Sequence, residues 1–153
     1  MVSGLRWIMM LGLGGLLAGC AETTLTLRAA RAQQNSAVAL AFLDTVFNKH
    51  EVDLAFRRYV GPGLRDHTVG PAAAVDGARV ALLRQVTGGG DTLHIDIAHS
   101  IAQGDMVAIQ SNVAGATESQ AAAGTARFDL FRLSRGRIIE HWSLSEVPGS
   151  DAR

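Results

Sequence analysis

The chain of 153 residues is poor in the groups that usually cross-link or charge a protein. It has one cysteine, Cys20, so no disulfide can form within it, and none is left over for a metal site or a nucleophile. Neither sign of charge dominates. The 14 Lys+Arg stand against 14 Asp+Glu, which leaves no basic stripe of the kind nucleic acid requires. There is no HExxH, CxxC or GxSxG, and the GGG at 88–90 follows a helical pattern, so it reads as a helix stop and not as a phosphate cradle. The five histidines include no tight ligand pair, and no metal is expected. No apolar run approaches the roughly 20 residues that a membrane-spanning helix needs.

What is present begins with Arg6 and an apolar run from Trp7 to Leu17, the layout of a secretory signal. It ends in Leu17-Ala18-Gly19-Cys20, which resembles the lipobox of bacterial lipoproteins, where cleavage before the cysteine leaves a lipid-bearing N-terminus. An uncleaved anchor and a cut elsewhere are the alternatives. The expected organisation is a signal peptide at 1–19, a tether at 20–35 running into the first helix, one domain at 36–148 and a tail at 149–153. Acyl chains on Cys20 would hold the protein at a membrane surface of the bacterial cell envelope, outside the cytoplasm.

Within the domain the hydrophobic period changes once. In SAVALAFLDTVFNKH, Ala39, Phe42, Leu43, Val46 and Phe47 recur at helical spacing. A shorter helix follows in EVDLAFRRYV, with Val52, Phe56 and Tyr59 on its apolar side, and Gly61-Pro62-Gly63 breaks it. Asp76 is placed as an N-cap for a third helix over GARVALLRQV. From residue 91 the period becomes two. DTLHIDIAHSI and MVAIQSNV form a hairpin about Gln103-Gly104-Asp105, and TARFDLFRLS and RIIEHWSLSE follow about Ser134-Arg135-Gly136. Helices first and an antiparallel meander second make a single-domain α+β fold.

The alternation also sorts the histidines. His94 falls on a polar face and His50 at a helix end, where a donor near the last carbonyls is favourable. His99 occupies a place in the aliphatic row Leu93, Ile95, Ile97, Ile101, so it is either a satisfied core histidine or the wall of a cavity. His67 lies beside Asp66 in a short segment between turns. In the last strand, strict alternation puts Ile139, His141, Ser143 and Ser145 on one face and Ile138, Glu140, Trp142 and Leu144 on the other. An imidazole among small hydroxyls suits a cavity wall. Alternation alone leaves open which row looks inward.

Four segments, YVGPGLRDHTVG, VDGARVALL, HSIAQGDMVAIQSNV and FDLFRLSRGRIIEHWSLSEVP, are similar in that order to SnoaL-like proteins of the nuclear transport factor two-like superfamily, from about Ser36 to Pro148. Asp129, Phe131, Arg132, Gly136, Ile138, Glu140, His141 and Trp142 match a closing pattern written D-x-F-R followed by G-x-I-x-E-H-W-D. The resemblance implies a cone-shaped, strongly curved antiparallel sheet packed against N-terminal helices (cystatin-like), with a mainly apolar pocket. It also implies aldol-type ring closure without metal or organic cofactor, and a homodimer joined by sheet faces. His67 matches the histidine of a Q-H-N-P segment whose other residues here differ. Ser143 stands where an aspartate is common, and a serine hydroxyl cannot hold or release a proton near neutral pH. The proton carriers expected are therefore His141 and His67. His99, Ser143, Phe128 and Tyr59 are the expected lining for a small, mainly apolar ligand. The leading expectation is binding of that ligand with cofactor-free proton-transfer chemistry, an aldol-type cyclisation, an isomerisation or a hydration; a non-catalytic carrier and a dimeric interaction module are the other functions the sequence admits.

Overall fold

A computed structural model describes residues 14–68, 73–74, 93–115 and 125–145. The third helix expected after Asp76, the lipobox run up to residue 13 and the tail at 149–153 lie outside the described residues. The first helix, α1 (Gly14–Phe47), is followed by α2 (Val52–Tyr59). Six strands follow among the described residues: β1 (Val60–Asp66), β2 (Ala73–Ala74), β3 (His94–Gln103), β4 (Met106–Ala114), β5 (Thr125–Ser134) and β6 (Arg137–Ser145).

The two halves of α1 differ because only one carries an apolar stripe. From Thr23 to Gln34 every residue except half-buried Ala32 is exposed, so the stretch expected as a tether is a bare helix continuous with the packed part. From Asn35 onward, Ala39, Phe42, Leu43, Val46 and Phe47 are buried at the spacing read from sequence. No helix among the described residues is long and apolar enough to cross a membrane.

The strands form one sheet in the order β2-β1-β6-β5-β4-β3. The expected α+β architecture, helices on one face of a curved open sheet, holds, with one difference in direction. β1 lies parallel to β6, so the sheet is mixed where an antiparallel one was expected. A hairpin can join only antiparallel neighbours; β1 instead arrives from α2 and returns alongside the last strand of the chain.

The helices cover the inner face, where Val107, Ile109, Phe131, Leu133 and Ile138 meet the apolar stripe of α1. Phe42 packs edge-on against both Phe56 and Phe131, at 5.6 and 6.0 Å between ring centroids. A side chain as fully buried as Phe131 stabilises the fold by about 1.5–3 kcal/mol relative to exposure. Polar clips set the position of α1 on the sheet. Asn48 exchanges two hydrogen bonds with the backbone of Ile95, and Asn35 Nδ2 donates to Gly104 O at 2.9 Å.

Two bulges decide which residues share a face. In β3, Ala98 has no partner between the pairs Ile97–Ser111 and His99–Gln110. In β6, Ile139 has none between Leu133–Ile138 and Arg132–Glu140. One extra residue reverses the facing of everything beyond it.

Candidate functional site

The site is built where β1, β6 and β5 run side by side. Asp66 pairs with His141 in the parallel register, and His67 N donates to His141 O at 2.8 Å. Phe131 lies opposite His141 on the other side, with Asp129 opposite Ser143. Inward-facing side chains from the three strands are thereby brought together beneath Phe42, Phe47 and Phe56 of the helices.

His141 is buried, 7% exposed, between two carboxylates. Its Nε2–H donates to Asp129 Oδ1 at 2.8 Å and its Nδ1–H to Asp66 Oδ2 at 3.2 Å. Arg127 grips Asp129 with both arms of its guanidinium, each at 2.7 Å, and the ring of Phe131 stacks on the imidazole at 4.7 Å. Thr68 donates to Asp66 Oδ1 from its backbone N at 2.8 Å and also from its hydroxyl. Two acids, an imidazolium and a guanidinium sum to no net charge. That compensation lets four ionised groups lie out of water.

Burial pushes the imidazole toward its neutral form, yet hydrogen bonds to Asp129 and Asp66, with their charges, hold its pKa above the ordinary value. The acids move the other way. Burial raises Asp66, but donation from His141 and Thr68 leaves it well below the usual carboxylate range. Burial likewise opposes Asp129, and bonds from His141 and Arg127 bring it below its ordinary value.

Asp66, Arg127 and His141 share a cavity with Leu64, Phe131 and Ile138, walled on the helical side by the three phenylalanines. Its volume is about 30 Å³. A water needs roughly 10–15 Å³ measured this way, so the space beside the ring holds a water or two and no polycyclic molecule.

The residues expected from sequence do not converge. His141 is on the inner face, with Ser143 half-buried two residues on. His67 lies on the outer face, where its Nε2 meets Glu140 Oε1 at 2.7 Å and its ring stacks on Trp142 at 4.6 Å. Arg132 closes that outer group through Glu140 Oε2 at 2.7 Å. His99 was expected in the aliphatic row of its strand. The Ala98 bulge instead turns it outward opposite Gln110, where it is exposed. Phe128 was expected in the pocket and is 53% exposed on the outer face, opposite Leu144. Tyr59, also expected there, packs half-buried at the end of α2, away from the walls of the cavity at His141. The Ile139 bulge corrects the row read for β6 as well, since Ile138 faces inward with His141.

Asp129 was met in sequence only as a position of the closing pattern and Asp66 only as the neighbour of His67, Arg127 not at all, and none of the three was expected in the site. The available signal was Asp129, an acid at an inward position of a strand that otherwise buries Phe131 and Leu133.

No family model and no curated protein matches this sequence. Solved structures do match it. A SnoaL-like polyketide cyclase from Jannaschia sp. CCS1 aligns with a TM-score of 0.60 at 22% identity, over 76% of this chain and 88% of that one. An LEH-like epoxide hydrolase of M. tuberculosis aligns at 0.59 and 18% identity, over 75% and 84%. A ketosteroid isomerase from Kribbella flavida aligns at 0.62 and 10% identity, over 80% and 84%. At these identities the likeness establishes the fold: this chain has the architecture of SnoaL-like and nuclear transport factor two-like proteins.

Proposed function

We propose that this protein is an envelope-anchored catalyst that moves protons on a small, mainly apolar molecule without a cofactor. The observation that carries the reading is the buried His141 held between Asp66 and Asp129 at the wall of an apolar cavity. Neighbours of the same fold are described as a cyclase, an epoxide hydrolase and an isomerase, all consistent with side-chain acid–base chemistry.

The two contacts of the imidazole are unequal, and that supports a division of labour. The 2.8 Å bond to Asp129, itself locked by Arg127, fixes the ring, whereas the 3.2 Å bond to Asp66 is the one a substrate can exchange. A substrate oxygen that accepts the Nδ1 proton removes a donor from Asp66 and so raises its basicity. Asp66 then takes a proton from carbon or from water while the imidazolium supplies one to oxygen. A water-sized space beside both groups favours addition of water over cyclisation of a large chain. Ligand carriage without chemistry is the second reading, favoured by the engagement of both ring nitrogens in the resting site.

The full chain in detergent micelles, offered a three-carbon epoxide and an open-chain four-carbon enone, the size of substrate the small cavity admits, distinguishes the readings. Catalysis predicts that His141→Gln lowers turnover by about 10²–10⁴ while ligand affinity is retained, and that His67→Ala has little effect. Binding without any turnover on either substrate, unchanged by His141→Gln, would leave only the carrier.

Two further parts of the proposal concern where the protein sits. Lipid on Cys20 predicts that Cys20→Ala moves the protein from the membrane fraction to the soluble one. A homodimer through the outer face is supported by the apolar groove of about 310 Å³ along Phe128, Leu130, Trp142 and Leu144. Leu144→Asp, at a position 78% exposed, should give monomers in sedimentation without loss of stability.

A further inference from the structure

A second cavity, unrelated to His141, opens where α1 leaves the sheet. This groove of about 530 Å³ runs between α1 and the two hairpin turns, lined by Arg31, Gln34, Asn35, Asp105, Ser134 and Arg135. Its floor is fixed in advance. Asn35 is 5% exposed, and its donation to Gly104 O ties the helix to the β3–β4 turn.

Arg135 lies at φ 51 and Gly136 at φ 72, the left-handed positions of a tight hairpin turn. Such positions favour Asn, Asp or Gly, so the turn would form more readily with asparagine at 135. A guanidinium placed there against local preference needs another reason. Among the described residues neither Arg31 nor Arg135 has an ion-pair partner, and both are exposed into the groove. Asp105 is 62% exposed, and its cationic neighbour is Arg132 at 3.8 Å, whose Nη1 is already committed to Glu140. The groove therefore offers two guanidinium forks and one accessible carboxylate.

We propose that this groove binds an aminoalkyl phosphate, its oxyanion forked by Arg31 and Arg135 and its ammonium on Asp105. Guanidinium pairs match the several acceptor oxygens of a phosphate, and a lone carboxylate beside them selects a ligand that carries its own cation. Such a molecule could be free in solution or be a phospholipid headgroup. Arg31 lies eleven residues along α1 from Cys20, about 16 Å at the helical rise, so a membrane surface is within reach if that cysteine is lipidated.

The full chain in a phosphate-free detergent, titrated calorimetrically with O-phosphoethanolamine and with ethyl phosphate, tests the site apart from any chemistry at His141. Saturable binding is expected, with the amine-bearing ligand preferred. Arg135→Asn and Arg31→Gln should each weaken it about tenfold or more, as loss of a hydrogen bond to a charged group does. Arg135→Asn should also keep or raise the melting temperature, since asparagine suits the turn, which separates lost binding from lost folding. Asp105→Asn should abolish only the preference for the amine. Nanodiscs bearing ethanolamine headgroups will compete with the soluble ligand if a lipid is the occupant and will not if the occupant is free. Absence of saturable binding, or binding by Arg135→Asn equal to that of the parent protein, would overturn the proposal.

Discussion

The two faces of β6 carry nearly the same set of groups and use them differently. Inside, His141 meets Asp66 and Asp129, with Arg127 behind. Outside, His67 meets Glu140, with Arg132 behind it and Trp142 alongside. Each set has an imidazole, a carboxylate and a guanidinium. The difference lies in what surrounds them. The inner ring is covered by phenylalanines and touches a cavity, whereas in the outer set Glu140, itself 8% exposed, is flanked by half-buried His67, Arg132 and Trp142 on the face that α1 and α2 leave open. Like groups are thus held in two environments that differ in their access to water and to a cavity.

The largest effect should appear when each set loses its acid. Asp129→Ala removes a fully buried carboxylate and leaves an imidazolium and a guanidinium together in the interior, which costs about 3–5 kcal/mol in urea unfolding. In the Leu144→Asp variant, where the proposed partner no longer covers the outer face, Glu140→Ala leaves His67 and Arg132 free to turn to solvent and should shift the midpoint far less. A loss at Glu140 that rises to equal that at Asp129 in the parent protein would mean that a partner subunit covers that set.

Acidity sharpens the contrast. Asp66 and Asp129 are depressed in the folded state, so their contribution is complete above the ordinary value of 3.8 and is lost as pH falls below it. His141 is raised, so its contribution is complete below 6.5 and declines as pH climbs from there through the folded-state value. Stability should therefore peak between these limits, with an acid limb from the two aspartates and an alkaline limb from the histidine. Urea midpoints measured across pH check this. His141→Gln should flatten the alkaline limb.

Much of this arrangement could be read from the sequence, and what could not has a local cause. The helical stripe of α1 and the two hairpins follow from hydrophobic period and turn residues, whereas alternation left open which row of β6 looks inward and only the resemblance put His141 in the pocket. The face of His99 does not, because one unpaired residue at Ala98 reverses the strand beyond it, and no side chain announces that bulge. Ile138 is misplaced by strict alternation for the same reason at Ile139. The partnership of Asp66 with His141 depends on β1 lying parallel to β6, a pairing across 75 residues that local pattern cannot encode. Asp129 was visible as an acid in a buried row; its meaning waited on knowing what stood opposite.

The smallest effect concerns a group that belongs to neither set. Ser111 faces inward on β4, opposite Arg127 in register, and is fully buried, with no partner for its Oγ among the described residues. A buried hydroxyl without a hydrogen bond lowers stability, so removing it should be neutral or slightly favourable, by up to about 1 kcal/mol, in contrast to the loss at Asp129. Ser111→Ala is expected to unfold at the same or a slightly higher urea concentration. If it unfolds markedly earlier, the hydroxyl has a partner in solution, and a water at Ser111 would extend the polar inner face by one strand. The inner set would then be a larger network than the four residues on β1, β5 and β6, and the loss at Asp129 would have to be shared with it.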